Sequence, residues 1–330
     1  MMVAMASRLD IRRLSVELPT EQGWVRPVAE VSFALDESES LGIVGESGSG
    51  KTMLALALMG LLPPGARASG EAFLAGQTGS ENGKIDLLSA PPEIMRRMRG
   101  GEMAMVFQEP MTALNPVVTI GEQIKEAIRV HAARISSRAL RDRTIEALER
   151  AAVPEPERRL GQYPHQLSGG LRQRVTIAMA LAAGPKVLVA DEPTTALDVT
   201  VQKQILDLLA NLQRELQLSL LFITHDLGVV AQVTSRLLVL YAGRIVEEGP
   251  TKEVLGHPRH PYTDALLRAA PRLERGGVVP IPGTVPALDA LPPGCSFSPR
   301  CSVRLADCDV GLPDLRRIDE QHRARCILVR

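Results

Sequence analysis

Gly45-Glu46-Ser47-Gly48-Ser49-Gly50-Lys51-Thr52 is the stretch on which the fold turns. It fits G-x-x-x-x-G-K-[ST], and its setting is the one that pattern needs: a short apolar strand before it, Leu41 to Val44, and a helix after it, from about Lys51 to Leu62. Glycines let the chain curl so that successive N–H groups face one anion. The following helix aims its positive end at the same point. Lys51 adds a point charge suited to β- and γ-phosphates, and the Thr52 hydroxyl is a Mg²⁺ ligand of the right hardness.

Outward from this loop the chain divides by pattern. The first forty residues read as antiparallel strands, from the alternation of Leu9, Ile11, Leu14, Val16 and Leu18 and that of Val28, Val31, Phe33 and Leu35. Residues 65–85, rich in Gly, Ala and Ser, read as loops and short strands. From Pro92 to about Arg159 the pattern is helical, with Ile120, Ile124, Ala127 and Ile128 at one spacing and Leu140, Ile145, Leu148 and Ala151 at another. After Leu167, helix and strand alternate: a helix after Gly170, a strand at Val187–Ala190, a helix at Val201–Leu216, a strand at Leu220–Thr224, a short helix from Asp226 and a strand at Leu237–Tyr241. That alternation predicts an α/β fold with a mostly parallel sheet core. The tail after about Pro258 is proline-rich and reads as an irregular appended module.

Two further groups of polar residues sit where such a sheet presents its ligand. The run Val187 to Ala190 is apolar throughout, as in a strand covered on both faces, and it ends in Asp191-Glu192. Asp191 is placed to hold Mg²⁺ through water and Glu192 to polarise an attacking water as general base. The strand Leu220–Thr224 is followed at once by His225, which can donate a hydrogen bond to a γ-phosphate. Each group alone has an ordinary structural reading; their company with the phosphate loop gives them a chemical one.

Leu167-Ser168-Gly169-Gly170-Leu171-Arg172-Gln173-Arg174 resembles the signature motif of the ATPases of ABC transporters. The order of motifs matches that family over roughly residues 8–255: phosphate loop, Gln108, signature, Asp191-Glu192, Ala196-Leu197-Asp198, His225. The resemblance implies a P-loop NTPase of ABC type, with an antiparallel β subdomain and a helical subdomain at about residues 86–165 that docks on membrane subunits. It implies a head-to-tail dimer with a second ABC ATPase, paralogue or self. Each ATP would lie between Lys51, Thr52, Gln108, Asp191, Glu192 and His225 of one chain and Ser168 and Gly170 of the other. Gly169 belongs to the same helix start, and Asp198 would lie at the dimer seam. Gln108 would touch Mg²⁺ and the attacking water. The family's adenine-stacking aromatic would fall near Val25 or Arg26, beside Trp24, the single tryptophan.

Two stretches narrow the branch. Phe107–Pro116 resembles the form found in oligopeptide, dipeptide and nickel importers. So do His260-Pro261-Tyr262-Thr263, Ala265-Leu266-Leu267 and Ile281-Pro282-Gly283-Thr284-Val285-Pro286 of the tail. The implied division is a nucleotide-binding domain at 1–255 and a peptide-importer extension at 256–330. All four cysteines, Cys295, Cys301, Cys308 and Cys326, lie in that extension, spaced C-x5-C-x6-C-x17-C. The spacing itself matches neither compact ferredoxin runs nor paired zinc motifs. Some members of this branch carry a [4Fe–4S] cluster here, and by resemblance that cluster is expected, with zinc and unligated thiols as alternatives.

Bulk properties fit this reading. The 330 residues are 45% hydrophobic and 23% charged, with a formal net charge of zero, so no nucleic-acid partner is expected on charge grounds. No run approaches the roughly 18 apolar residues of a spanning helix, and Met1 to Leu9 lacks the basic lead of a secretory signal. The expected location is peripheral, on the cytoplasmic face of the cell (inner) membrane, reached through two transmembrane permease subunits that a solute-binding protein feeds. Peptide import is the leading expectation and nickel or another small solute the alternative. A soluble ABC-type ATPase outside transport is the rival of another class; the long coiled coil or the second cassette usual in such proteins is not found in the sequence.

Overall fold

The computed structural model describes residues 7–76, 83–109, 113–132, 134–195, 197–270 and 279–329. Of the stretches read above, residues 1–6, 77–82, 110–112, 133, 196, 271–278 and 330 lie outside these. In chain order the strands are β1 (Ser7–Thr20), β2 (Gly23–Asp36), β3 (Ser40–Val44), β4 (Arg67–Ala75), β5 (Lys84–Asp86), β6 (Met103–Val106), β7 (Val187–Asp191), β8 (Ser219–Thr224), β9 (Arg236–Tyr241), β10 (Arg244–Pro250), β11 (Arg316–Arg317) and β12 (Arg323–Ala324). The chain divides into two compact units, one made of residues 1–8, 36–39 and 90–221, the other of 9–35, 40–89 and 222–330. The strand β8 begins in the first and ends in the second.

In the first unit, β6 and β7 pair in parallel, Met103 opposite Val187 and Val106 opposite Ala190. Every residue of both strands is buried, which is why β7 is an unbroken apolar run. The helices Ile120–His131, Ser137–Arg150 and Gly169–Leu181 close a second core around Ile120, Ile124, Ile128, Leu140, Leu148 and Val175. The helical spacing read from the sequence is the inward face of these helices. The strand β6 lies inside the stretch expected to be helical. Met103–Val106 is only four residues long and lies between helical stretches, so no strand signal stands out from its surroundings.

In the second unit, an antiparallel sheet has the order β2-β1-β4-β5. Strand β1 faces β4 from Leu9↔Leu74 to Glu17↔Arg67, with a bulge between Arg12 and Ser15. Within the stretch expected to be loops and short strands, β4 runs for nine residues and β5 for three. A second sheet runs β11-β12-β10-β9-β3. Its β3 and β9 are parallel, but β9, β10, β12 and β11 are joined antiparallel. The parallel pairing expected of the core holds for β3 with β9, and the antiparallel strands β10, β12 and β11 extend the sheet beyond β9. A tight turn at Ala242-Gly243, both at positive φ, reverses the chain from β9 into β10. The tail is also less irregular than expected: Pro261–Ala269 is a helix capped by the His260 ring, and β12 joins β10 through Glu247↔Ala324 and Glu248↔Arg323.

Candidate functional site

The phosphate loop joins β3 to the helix Lys51–Leu58. Gly50 caps that helix with φ 101° and ψ −1°, a backbone that L-residues with a Cβ adopt at a cost. The space is closed as well: a Cβ there would stand 2.0 Å from the Pro27 carbonyl oxygen. Lys51 is buried at 5% exposure. Its ammonium donates to the carbonyl oxygens of Gly45 at 2.8 Å and Glu46 at 3.0 Å and to Ser49 Oγ at 3.4 Å. Those three oxygens are neutral acceptors, and they hold the ammonium inside the curl of the loop. Thr52 is exposed at the first turn, and Ser47 and Gly48 stand exposed on the loop. His225 follows β8 at once and is exposed.

In the first unit, Asp191 is the last residue of β7 and is 1% exposed. Glu192 comes next with φ 46°, a left-handed kink that turns its carboxylate off the strand line. Its Oε2 accepts from Gln108 Nε2 at 3.0 Å and from Thr195 Oγ1 at 3.0 Å. Gln108 and Glu192, 84 residues apart, are thus brought together as the motif series implied. Thr195 is a partner the sequence reading missed; an i+3 hydroxyl after Asp-Glu-Pro was the available signal. Both donors hold the same carboxylate oxygen, which fixes the orientation of the Glu192 side chain.

Ser168 opens the signature helix Gly169–Leu181 as its cap, Oγ accepting from Leu171 N–H. Gly169 and Gly170 form the first turn, and a Cβ on Gly170 would stand 2.6 Å from Val201 Cγ1, so the helix start packs closely there because that residue has no side chain. Asp198 caps the helix Val199–Glu215, Oδ1 accepting from Thr200 N–H at 3.1 Å and Val201 N–H at 2.9 Å. Trp24 is 46% exposed, and one face of its ring is covered by the Arg67 guanidinium at 4.0 Å.

The second unit holds two further features. Glu46 of the phosphate loop is gripped by Arg300 and Tyr262; Tyr262 lies in a stretch that marked the branch but carried no assigned role, and Arg300 was not singled out. The four cysteines line one hollow together with His260, Phe297 and other residues. Burial pushes the Cys295, Cys301 and Cys326 thiols up from their ordinary range, so without a metal they are held as thiols. The donor set, four soft sulfurs from cysteine alone, matches an iron–sulfur cluster in kind. The hollow is small, about 10 Å³, room for one water, so the sulfurs must spread to admit a cluster. Among the described residues no three His, Cys, Asp or Glu side chains form a group that could hold a metal ion.

A curled amide loop with a buried lysine, together with a buried Asp beside an oriented Glu at the end of an apolar strand, defines a P-loop nucleoside triphosphatase. Comparison with known proteins narrows the class. Residues 28–195 match the family model described as ABC transporter, and residues 246–308 match the one described as oligopeptide/dipeptide transporter, C-terminal region. A Brucella ovis protein named for peptide import ATP binding is 49% identical over 329 residues, covering 97% of this chain and 96% of that one. A Brucella abortus protein named in the same terms is 46% identical over 306 residues, 92% of this chain and 90% of its own. Among solved structures, the dimeric ATP-binding cassette MJ0796 bound to ADP and Pi superposes with TM-score 0.64 at 27% identity, covering 74% of this chain and 98% of that one. The cbiO1 protein of Clostridium perfringens, part of the ABC transporter complex cbiONQ, gives 0.62 at 26% identity, with 76% and 91% covered. The chain belongs to the ABC transporter family and is one of its ATP-hydrolysing cassettes.

Proposed function

We propose that this cassette powers the import of oligopeptides or dipeptides through partner membrane subunits. The observation that carries the reading is the match of residues 246–308 to the C-terminal region of oligopeptide/dipeptide transporters. The names of the Brucella relatives support it. Two cassettes sandwich two ATPs head to tail, with Ser168, Gly169 and Gly170 of each facing the nucleotide held by the other and Asp198 at the seam. The helical subdomain at about 86–165 docks on two permease subunits, which places the chain peripherally on the cytoplasmic face of the membrane, downstream of a solute-binding protein. Among the described residues no helix is long and apolar enough to cross a membrane, in keeping with attachment through partners.

Each residue has a separate task in hydrolysis. The loop amides and Lys51 bind and neutralise the β- and γ-phosphates. Thr52, Asp191 and Gln108 offer the hard oxygens that Mg²⁺ takes, and the ion supplies charge neutralisation at the transferring phosphoryl. Glu192 takes the proton of the attacking water, its orientation fixed by Gln108 and Thr195. His225 donates to the γ-phosphate. Uptake of labelled di- and oligopeptides by cells whose only copy carries Glu192→Gln tests the reading: loss of peptide uptake supports it. Intact peptide uptake with lost nickel uptake would move the assignment to nickel, and intact transport of both would favour an ATPase outside transport.

The extension at 256–330 holds a second centre in this proposal, a [4Fe–4S] cluster on Cys295, Cys301, Cys308 and Cys326. Their gathering around one hollow supports it. Anaerobically purified protein is expected to be brown, with iron and labile sulfide in equal amounts; colourless protein free of both removes the cluster.

A further inference from the structure

Glu46 is the second residue of the phosphate loop, and two residues of the C-terminal segment hold it from outside. Arg300 Nη1 and Nη2 bind its two carboxylate oxygens at 2.7 and 3.0 Å. The Arg300 side chain is 3% exposed, that of Glu46 27%. The rest of the guanidinium is committed too, Nε donating to the Pro282 carbonyl oxygen at 2.9 Å and Nη1 also to the Tyr241 hydroxyl at 3.3 Å. A two-pronged contact fixes the plane of the carboxylate, which a lysine cannot do. The bond to Glu46 raises the Arg300 pKa further, so the charge is permanent.

The second contact reaches the backbone. Glu46 N–H donates to the Tyr262 hydroxyl at 2.8 Å. That N–H shares a peptide plane with the Gly45 carbonyl, and in a trans peptide the two point opposite ways. The Gly45 carbonyl oxygen is the group that accepts the Lys51 ammonium at 2.8 Å. Tyr262 thus grips one side of a rigid plane whose other side aims Lys51. Its ring is fully buried, with centroids 4.5 Å from Tyr241 and 5.3 Å from Phe297, so the hydroxyl cannot follow the loop if the loop turns.

We propose that Tyr262 and Arg300 are positioning residues for nucleotide binding: the C-terminal segment holds the Gly45–Glu46 peptide in the orientation that presents Lys51 to phosphate. The inference rests on the reading of residues 45–52 as the nucleotide loop. It gives the extension a task in the ATPase itself, apart from any metal it holds.

The test uses the full chain, with a non-hydrolysable ATP analogue and Mg²⁺ for affinity and MgATP for turnover. Tyr262→Phe removes one hydroxyl and keeps the ring, and Arg300→Met removes the fork while keeping much of the bulk. Each is expected to raise the Kd about fivefold or more while kcat at saturating ATP stays near the wild-type value. Arg300→Lys is expected to fall between wild type and Arg300→Met. The double variant is expected to lose less than the product of the two single losses, since both act on one peptide. Lys51→Ala serves as the control and is expected to abolish binding. Unchanged affinity in both Tyr262→Phe and Arg300→Lys, with Lys51→Ala inactive in binding, overturns the inference and leaves the nucleotide loop standing. If Arg300→Met does not fold, Tyr262→Phe alone decides. Wild-type binding by Lys51→Ala instead overturns the loop reading on which the inference rests.

Discussion

Replacing Gly50 by alanine sets two separable costs against each other. Gly50 sits at φ 101°, and an L-residue forced into left-handed backbone loses about 1–2 kcal/mol. Its Cβ would also lie 2.0 Å from the Pro27 carbonyl oxygen. Both partners in that clash are backbone, so no side chain can swing away, and overpacking of this kind costs about 1–3 kcal/mol more. Gly48 provides the internal control. It has φ 79°, but a Cβ there meets nothing within 4 Å, so Gly48→Ala carries only the first cost. The expected fall in Tm is about 4–10 °C for Gly50→Ala against about 2–4 °C for Gly48→Ala. Gly50 also begins the helix that Lys51 enters, through Leu54 N–H to Gly50 carbonyl at 2.9 Å, so the shifted loop is expected to bind nucleotide at least tenfold more weakly, about 1.4 kcal/mol. Thermal unfolding of both variants and titration with a fluorescent ATP analogue read these two quantities. Equal Tm values for the two, with wild-type nucleotide affinity in Gly50→Ala, would refute the closed-loop reasoning.

Two other expectations are direct. Glu192→Gln keeps the shape and an acceptor for Thr195 but cannot take a proton, so kcat should fall about 10²–10⁴-fold with binding retained; phosphate release above a tenth of the wild-type rate rules out Glu192 as the base. Burial pushes the His260 pKa down to about 3 from 6.5, so the unfolded chain binds the extra proton between those values. The stability this residue contributes is complete above about pH 6.5 and declines as pH falls toward 3, with a slope of at most about 1.4 kcal/mol per pH unit. Urea midpoints should therefore drop more steeply with acid in wild type than in His260→Asn, which keeps an acceptor for the Tyr262 N–H that now bonds Nδ1. Parallel pH profiles would contradict this.

What could be read in advance was local. The phosphate loop, the β7 run with its acidic pair and the Ser168 cap each sit within about ten residues of chain, and periodicity or turn chemistry marks them. The helices Ile120–His131 and Ser137–Arg150 were legible because one face of each is apolar at helical spacing. The strand β6 was hidden because its four residues lie within a stretch whose wider pattern is helical. The strands β11 and β12 have two residues each and no pattern to find; they are held by pairing to β10 and to each other. In the tail, prolines masked a helix that Pro261 in fact starts, with fixed φ and no N–H to satisfy. The grip of Arg300 on Glu46 spans 254 residues of chain. It depends on the tail returning to the loop, which neither residue signals by type or spacing.

Nucleotide binding by this chain depends on a phosphate chain being held by the amides of residues 45–52 and the ammonium of Lys51. Hydrolysis of MgATP by purified Lys51→Ala, measured beside a check that the protein is folded, tests that most directly. The expected result is folded protein with no measurable nucleotide binding or turnover; folded protein that splits ATP at the wild-type rate would contradict it.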